Sequence, residues 1–99
     1  MIIRKTPKVN RHAVVRFRER VIPWNKRMSN AAIVRLIQSL TRGWSLTVEQ
    51  ERNYTYRLRT PHLRFYYDLL SNEITTILPY RELDKDRIFR WIDYYDIPS

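Results

Sequence analysis

The sequence predicts an α+β fold, with two N-terminal helices packed on a four-stranded antiparallel meander and a helix at the C-terminus. Three observations predict it. Apolar residues recur at three- and four-residue spacing before Gly43, alternate with polar ones from Trp44 to Leu78, and return to helical spacing after Asp84. Ile2 and Ile3 begin a short β-prone stretch that Pro7 ends. Asn10 is a side-chain cap for a helix from about Arg11 to Val21, in which Val14, Phe17 and Val21 form one apolar stripe before Pro23. After the polar link Trp24–Met28, Ser29 or Asn30 caps a second helix with Ile33, Leu36, Ile37 and Leu40 on its buried side. Gly43, the only glycine, stands where a left-handed C-terminal cap belongs.

The strands follow. Trp44, Leu46 and Val48 alternate with Ser45, Thr47 and Glu49, and Gln50–Asn53 is the expected hairpin turn. Tyr54, Tyr56 and Leu58 alternate with Thr55, Arg57 and Arg59. Thr60-Pro61-His62 makes the next turn, because proline cannot donate to a central ladder. Leu63, Phe65, Tyr67 and Leu69 alternate with Arg64, Tyr66 and Asp68. Ser71-Asn72 is a turn before the strand Glu73–Leu78, which Pro79 ends. Asp84 caps the last helix, with Ile88, Trp91, Ile92 and Tyr95 on one side. No repeat or linker interrupts this order, so residues 1–99 are expected to form one domain.

Composition narrows the chemistry. The 99 residues include no cysteine and two histidines, His12 and His62, which leaves no thiolate metal site and no cofactor motif to expect. No run approaches the roughly 18 apolar residues of a membrane-spanning helix, and the N-terminus has no apolar signal core. A cytoplasmic protein with no membrane partner is the expectation. The charge is lopsided: residues 1–42 hold eleven basic side chains and one acidic, whereas residues 43–99 hold eight and nine. Fifteen of the nineteen basic residues are arginine, whose guanidinium fork matches phosphate oxygens. Such a field calls for a polyanionic partner, with nucleic acid foremost.

Two constellations carry this further. In the meander, the polar alternation places Thr55, Arg57, Arg59, Arg64, Tyr66 and Asp68 on one face. Three like charges on neighbouring strands repel unless an anion sits among them, which points to a phosphate site. In the first helix, His12, Arg16 and Arg20 fall at i, i+4 and i+8 on one stripe, with Arg11 at its start. A neutral imidazole there accepts the proton of a ribose 2′-hydroxyl, and guanidinium groups stabilise the pentacoordinate phosphate that follows. Thr75 and Thr76 face opposite ways in EITTIL, and Tyr80 and Arg81 lie just beyond Pro79. Trp24, Tyr66 and Tyr80 are candidates to stack bases, whereas Trp44 and Trp91 read as core.

The helix RHAVVRFRERV resembles the "HA…R…eR" helix of small toxin-like domains, and EITTILPYREL resembles their "i-T-v-l" last strand. Those toxin-like domains belong to the barnase–EndoU–colicin–RelE superfamily of ribonuclease toxins, and the resemblance spans about Arg11 to Leu83. It implies a site on the sheet face and nearby helix that works without metal, and it implicates His12, Arg16 and Thr76. RelE-like members usually carry lysines on the middle strands, where this chain has arginines.

The function expected is therefore a metal-independent endoribonuclease of toxin type that cleaves RNA, mRNA on the ribosome included, by internal 2′-oxygen attack. In it His12 is the base or acid, and Arg16, Arg57 and Arg59 hold the phosphate. Thr76 or Tyr80 orients it, while Arg11, Arg20, Arg64, Tyr66 and Arg81 bind the RNA chain. The alternative is a non-catalytic basic module, of phage or mobile-element type, that binds nucleic acid or an acidic protein. A third is an adaptor whose basic helix pairs with an acidic antitoxin or host protein.

Overall fold

The computed structural model describes residues 5–43, 47–60, 62–79 and 84–98. The chain runs β1 (Lys8–Val9), α1 (Arg11–Arg20), α2 (Asn30–Gly43), β2 (Thr47–Arg52), β3 (Thr55–Arg59), β4 (Leu63–Asp68), β5 (Glu73–Pro79) and α3 (Lys85–Tyr94). The α+β class is as the residue pattern predicts. The sheet is not: it has five strands in the order β1-β5-β4-β3-β2, and it is mixed, because β1 lies parallel to β5. Lys8 pairs with Glu73 and Val9 with Ile74, so the opening strand follows Pro7 rather than ending at it. Two residues joined to a strand more than sixty positions away leave no alternation to read, and Ile2 and Ile3 lie outside the described residues.

Local chemistry sets the helix ends. The Asn10 side chain accepts the His12 backbone N–H at 2.8 Å, and its amide donates to Glu73 Oε1 at 3.1 Å, so one residue caps α1 and ties it to β5. Ser29 Oγ accepts from Ala32 N at 3.1 Å and starts α2; Asp84 Oδ1 accepts from Arg87 N at 2.7 Å and starts α3. Gly43 remains the last helical residue of α2 instead of a left-handed cap beyond it. The left-handed cap occurs at α3, where Asp96 has φ 53°. Its N–H bonds Asp93 O at 3.2 Å, and the next N–H, of Ile97, bonds Ile92 O at 2.9 Å, so the chain turns back and buries Ile97.

The β2–β3 turn is Asn53–Tyr54, beginning three residues later and ending one later than the expected Gln50–Asn53, and a register irregularity lies between Gln50 and Arg52. Tyr54 is therefore an exposed turn residue and not a strand residue. At the β4–β5 turn Asn72 takes φ 52°, and its side chain accepts from the Tyr67 hydroxyl at 2.6 Å. Burial pushes the Tyr67 phenol up, with the Asp68 carboxylate adding to it.

The core is continuous. Leu58, Phe65, Tyr67, Ile74 and Ile77 on the inner sheet face join Val14, Phe17, Ile33, Leu36, Ile37, Leu40, Ile88, Trp91 and Ile92 from the helices. The helical stripes thus cover the side of the sheet to which the strand alternation assigned them. Truncating such a wholly buried ring as Phe17 costs about 3–5 kcal/mol. Among the described residues, no helix is long and apolar enough to cross a membrane.

Candidate functional site

Strand register builds the outer face in rows, since directly paired residues point the same way. Glu49 pairs with Arg57, Arg57 with Tyr66, and Tyr66 with Thr76. This row crosses four strands and carries a carboxylate, a guanidinium, a phenol and a hydroxyl. In the next row Arg59 lies opposite Arg64, which lies opposite Leu78. The predicted outer set Thr55, Arg57, Arg59, Arg64, Tyr66 and Asp68 thus shares one face.

Sequence patterning does not reveal the residue that organises this face. Glu49 Oε2 accepts from Arg57 Nε at 3.1 Å and also from Arg57 Nη2, while Oε1 accepts from Arg59 Nη1 at 3.0 Å. One carboxylate holds two guanidinium groups, and each of the three side chains stays partly open to solvent. Their hydrogen bonds, Arg57 first, hold the Glu49 carboxyl below its ordinary range. The counter-anion inferred from three crowded arginines is thus already present for two of them, within the chain itself. Glu49 was legible as a strand residue whose parity matched Arg57. Only the β2–β3 register, displaced by the late turn, puts it opposite.

Thr76 stands in the row with its side chain half-buried. The register shift between Tyr66 and Tyr67 makes Thr75 the extra residue of a bulge, and its hydroxyl donates to Tyr66 O at 3.3 Å. The two threonines are therefore set apart by a bulge as well as by simple alternation.

The α1 constellation is arranged differently. At 3.6 residues per turn, His12 lies roughly 155° round the helix from the middle of the buried arc of Ala13, Val14, Phe17 and Val21. It is exposed, and its ring has no hydrogen-bond partner among the described residues. Arg16 pairs with Glu19 at 3.0 Å on the surface. Arg20 Nη1 donates to Ile77 O at 3.2 Å, beyond the part of β5 that β1 pairs. Arg11 is exposed at the helix start. Hydrogen bonds tie α1 to β5 at both ends, through Asn10 and Arg20, yet they do not bring His12 to Arg57 or Arg59. Tyr80 and Arg81 lie outside the described residues, as do Trp44 and Pro61.

The second histidine is better placed than the sequence suggests. His62, in the β3–β4 turn between Arg59 and Arg64, has Nε2 2.9 Å from Arg87 Nη1 of α3 and its ring 6.0 Å from that of Trp91. A guanidinium only donates, so Nε2 is the accepting side of this contact. The turn is held by Thr60, whose buried hydroxyl accepts from Leu63 N at 2.9 Å and donates to Leu63 O at 3.0 Å. A histidine in a turn carries no periodic signal, and its α3 partner is twenty-five residues away. Among the described residues, no three His, Asp or Glu side chains gather as a metal site would require.

A scan against protein-family models found no match, and searches of curated proteins and of solved structures found no significantly similar chain.

Proposed function

We propose that the protein is a metal-independent endoribonuclease of toxin type that binds RNA on the outer face of its sheet and cleaves it there. The observation that carries this reading is the row of Glu49, Arg57, Tyr66 and Thr76, with Arg59 and Arg64 beside it. RNA backbone phosphate competes with Glu49 for the Arg57 and Arg59 forks. As the guanidinium groups turn to phosphate, the carboxylate loses the bonds that hold its proton affinity down and becomes a better base. Glu49 then takes the 2′-hydroxyl proton, and the 2′-oxygen attacks the adjacent phosphorus. The Tyr66 hydroxyl protonates the departing 5′-oxygen, leaving a 2′,3′-cyclic phosphate. Arg57 and Arg59 stabilise the charge that develops on the phosphoryl oxygens. The resemblance of the α1 and β5 motifs to ribonuclease toxins supports the same reaction; there it implicates His12, Arg16 and Thr76.

Glu49 rather than His12 is assigned the base because it shares the face with the arginines. A second reading, RNA binding without cleavage, is favoured by one observation: both Glu49 carboxylate oxygens are engaged by cations, Arg57 and Arg59. Incubating the protein with RNA in EDTA separates the two. Cleavage to 2′,3′-cyclic ends, lost in Arg57→Ala and Glu49→Gln, bears out the nuclease. Salt-dependent binding of RNA that stays whole bears out the binding module. A chain that does neither, but co-purifies with an acidic protein, overturns both.

A further inference from the structure

The loop between α1 and α2 forms a second surface of a different kind. It is pinned from both sides. Asn25 Oδ1 accepts the backbone N–H groups of Arg27 and Met28 at 3.1 Å each, and Arg18 reaches from α1 to Met28 O at 2.8 Å. The fixed loop sets Trp24 against Phe89 of α3, with ring centroids 5.2 Å apart and planes at 51°. Between loop and helix lies a cavity of about 600 Å³ lined by Trp24, Asn25, Lys26, Arg27 and Phe89. That volume is in the roughly 300–1,000 Å³ range of small-ligand sites.

The lining is matched to one kind of ligand. Phe89 leaves 47 % of its surface open, a large apolar exposure for a residue next to the buried Ile88. The side chains of Lys26 and Arg27 are exposed and form no hydrogen bond or ion pair among the described residues, and Lys85 Nζ stands 5.4 Å from the Trp24 ring. With Oδ1 committed to the backbone, the Asn25 side chain offers only its amide donors. The cavity therefore combines aromatic walls, a fixed donor and two cations, Lys26 and Arg27, with Lys85 close to its Trp24 wall, and among the described residues no acidic one lines it.

We propose that this cavity is a nucleotide subsite for single-stranded RNA. One unpaired base packs on the Phe89 and Trp24 rings, the Asn25 amide donates to an acceptor on the base edge, and Lys26 and Arg27 hold the neighbouring phosphates. The subsite rests on the RNA reading of the sheet face and adds to it a place where bases, and not only phosphates, are gripped.

Binding of a labelled 2′-O-methyl oligouridylate, which has no 2′-hydroxyl to attack, tests it against an abasic chain of equal length. Phe89→Ala is expected to weaken binding of the base-bearing probe about ten-fold and to leave the abasic probe unaffected. Phe89→Trp should retain the parent affinity. Lys26→Ala with Arg27→Ala should weaken both probes and reduce the salt slope by about 0.7 for each phosphate no longer neutralised. The subsite is overturned if Phe89→Ala binds both probes like the parent, or weakens both equally. If the parent protein binds neither probe, the RNA reading fails and the subsite with it. If the parent binds, and Arg57→Ala weakens binding while Phe89→Ala does not, the subsite alone fails.

Discussion

The arginines of α1 and those of the sheet differ in what surrounds them. On α1, Arg16, Arg18 and Arg20 share no acceptor with one another. Arg18 spans Asn25 O, Met28 O and Asn30 Oδ1 and ties the following loop to the helix; Arg20 takes Ile77 O; Arg16 takes Glu19. On the sheet, Arg57 and Arg59 share a single carboxylate on an open face. A guanidinium bonded to backbone carbonyls replaces hydrogen bonds the chain would otherwise lack, and moving it costs stability. One bonded to a solvent-accessible carboxylate can exchange that partner for a phosphate. The densest run of basic residues is thus partly architectural, and the cations best placed for a ligand lie where the net charge is near zero.

The contrast is broken most directly by activity. Arg57→Ala and Glu49→Gln are each expected to lower RNA cleavage by about 10²-fold or more, the usual cost of removing a group that stabilises the transition state or moves its proton. His12→Ala should stay within about two-fold of the parent, the ordinary effect of a surface substitution far from reacting atoms. A loss in His12→Ala as large as that in Arg57→Ala would place the chemistry on α1 instead.

Stability comes next. Arg18→Ala should destabilise the fold by about 1.5–3 kcal/mol, the usual range for charge-assisted hydrogen bonds to partly buried acceptors, read from urea unfolding. Arg16→Ala, which breaks an exposed i, i+3 pair, should change it by less than about 0.5 kcal/mol. Equal losses would erase the distinction between architectural and surface arginines.

The acid limb of stability sharpens the sheet side. Because Arg57 and Arg59 depress the Glu49 carboxyl below its ordinary 4.5, its contribution is present above that value and disappears as pH falls through the lowered one. Glu49→Gln should flatten this part of the profile, measured by thermal unfolding from neutral to acid pH, and leave the neutral limb's shape unchanged. A last, modest effect lies outside both regions. Asp96→Gly relieves a left-handed residue and removes a negative charge at the C-terminus of α3, so it should stabilise by about 0.5–1 kcal/mol.

Periodicity and side-chain caps are local properties, and the chain's own residues determine them. Val14, Phe17, Ile33, Leu36, Ile37, Leu40, Ile88 and Trp91 had to be buried once their elements formed, because no other spacing puts them on one side. Asn10 and Asp84 were readable as caps, and strand parity alone placed Arg57, Arg59, Arg64 and Tyr66 together. Pairing between distant segments is another matter. The parallel β1–β5 pairing, the late β2–β3 turn that sets Glu49 opposite Arg57, the bulge at Thr75, and the meeting of His62 with Arg87 each depend on register or on elements far apart in the chain. Side-chain type sets what a residue can bond, and packing of the whole sheet decides which partner it meets; that is why the arginines were visible from composition and their carboxylate was not.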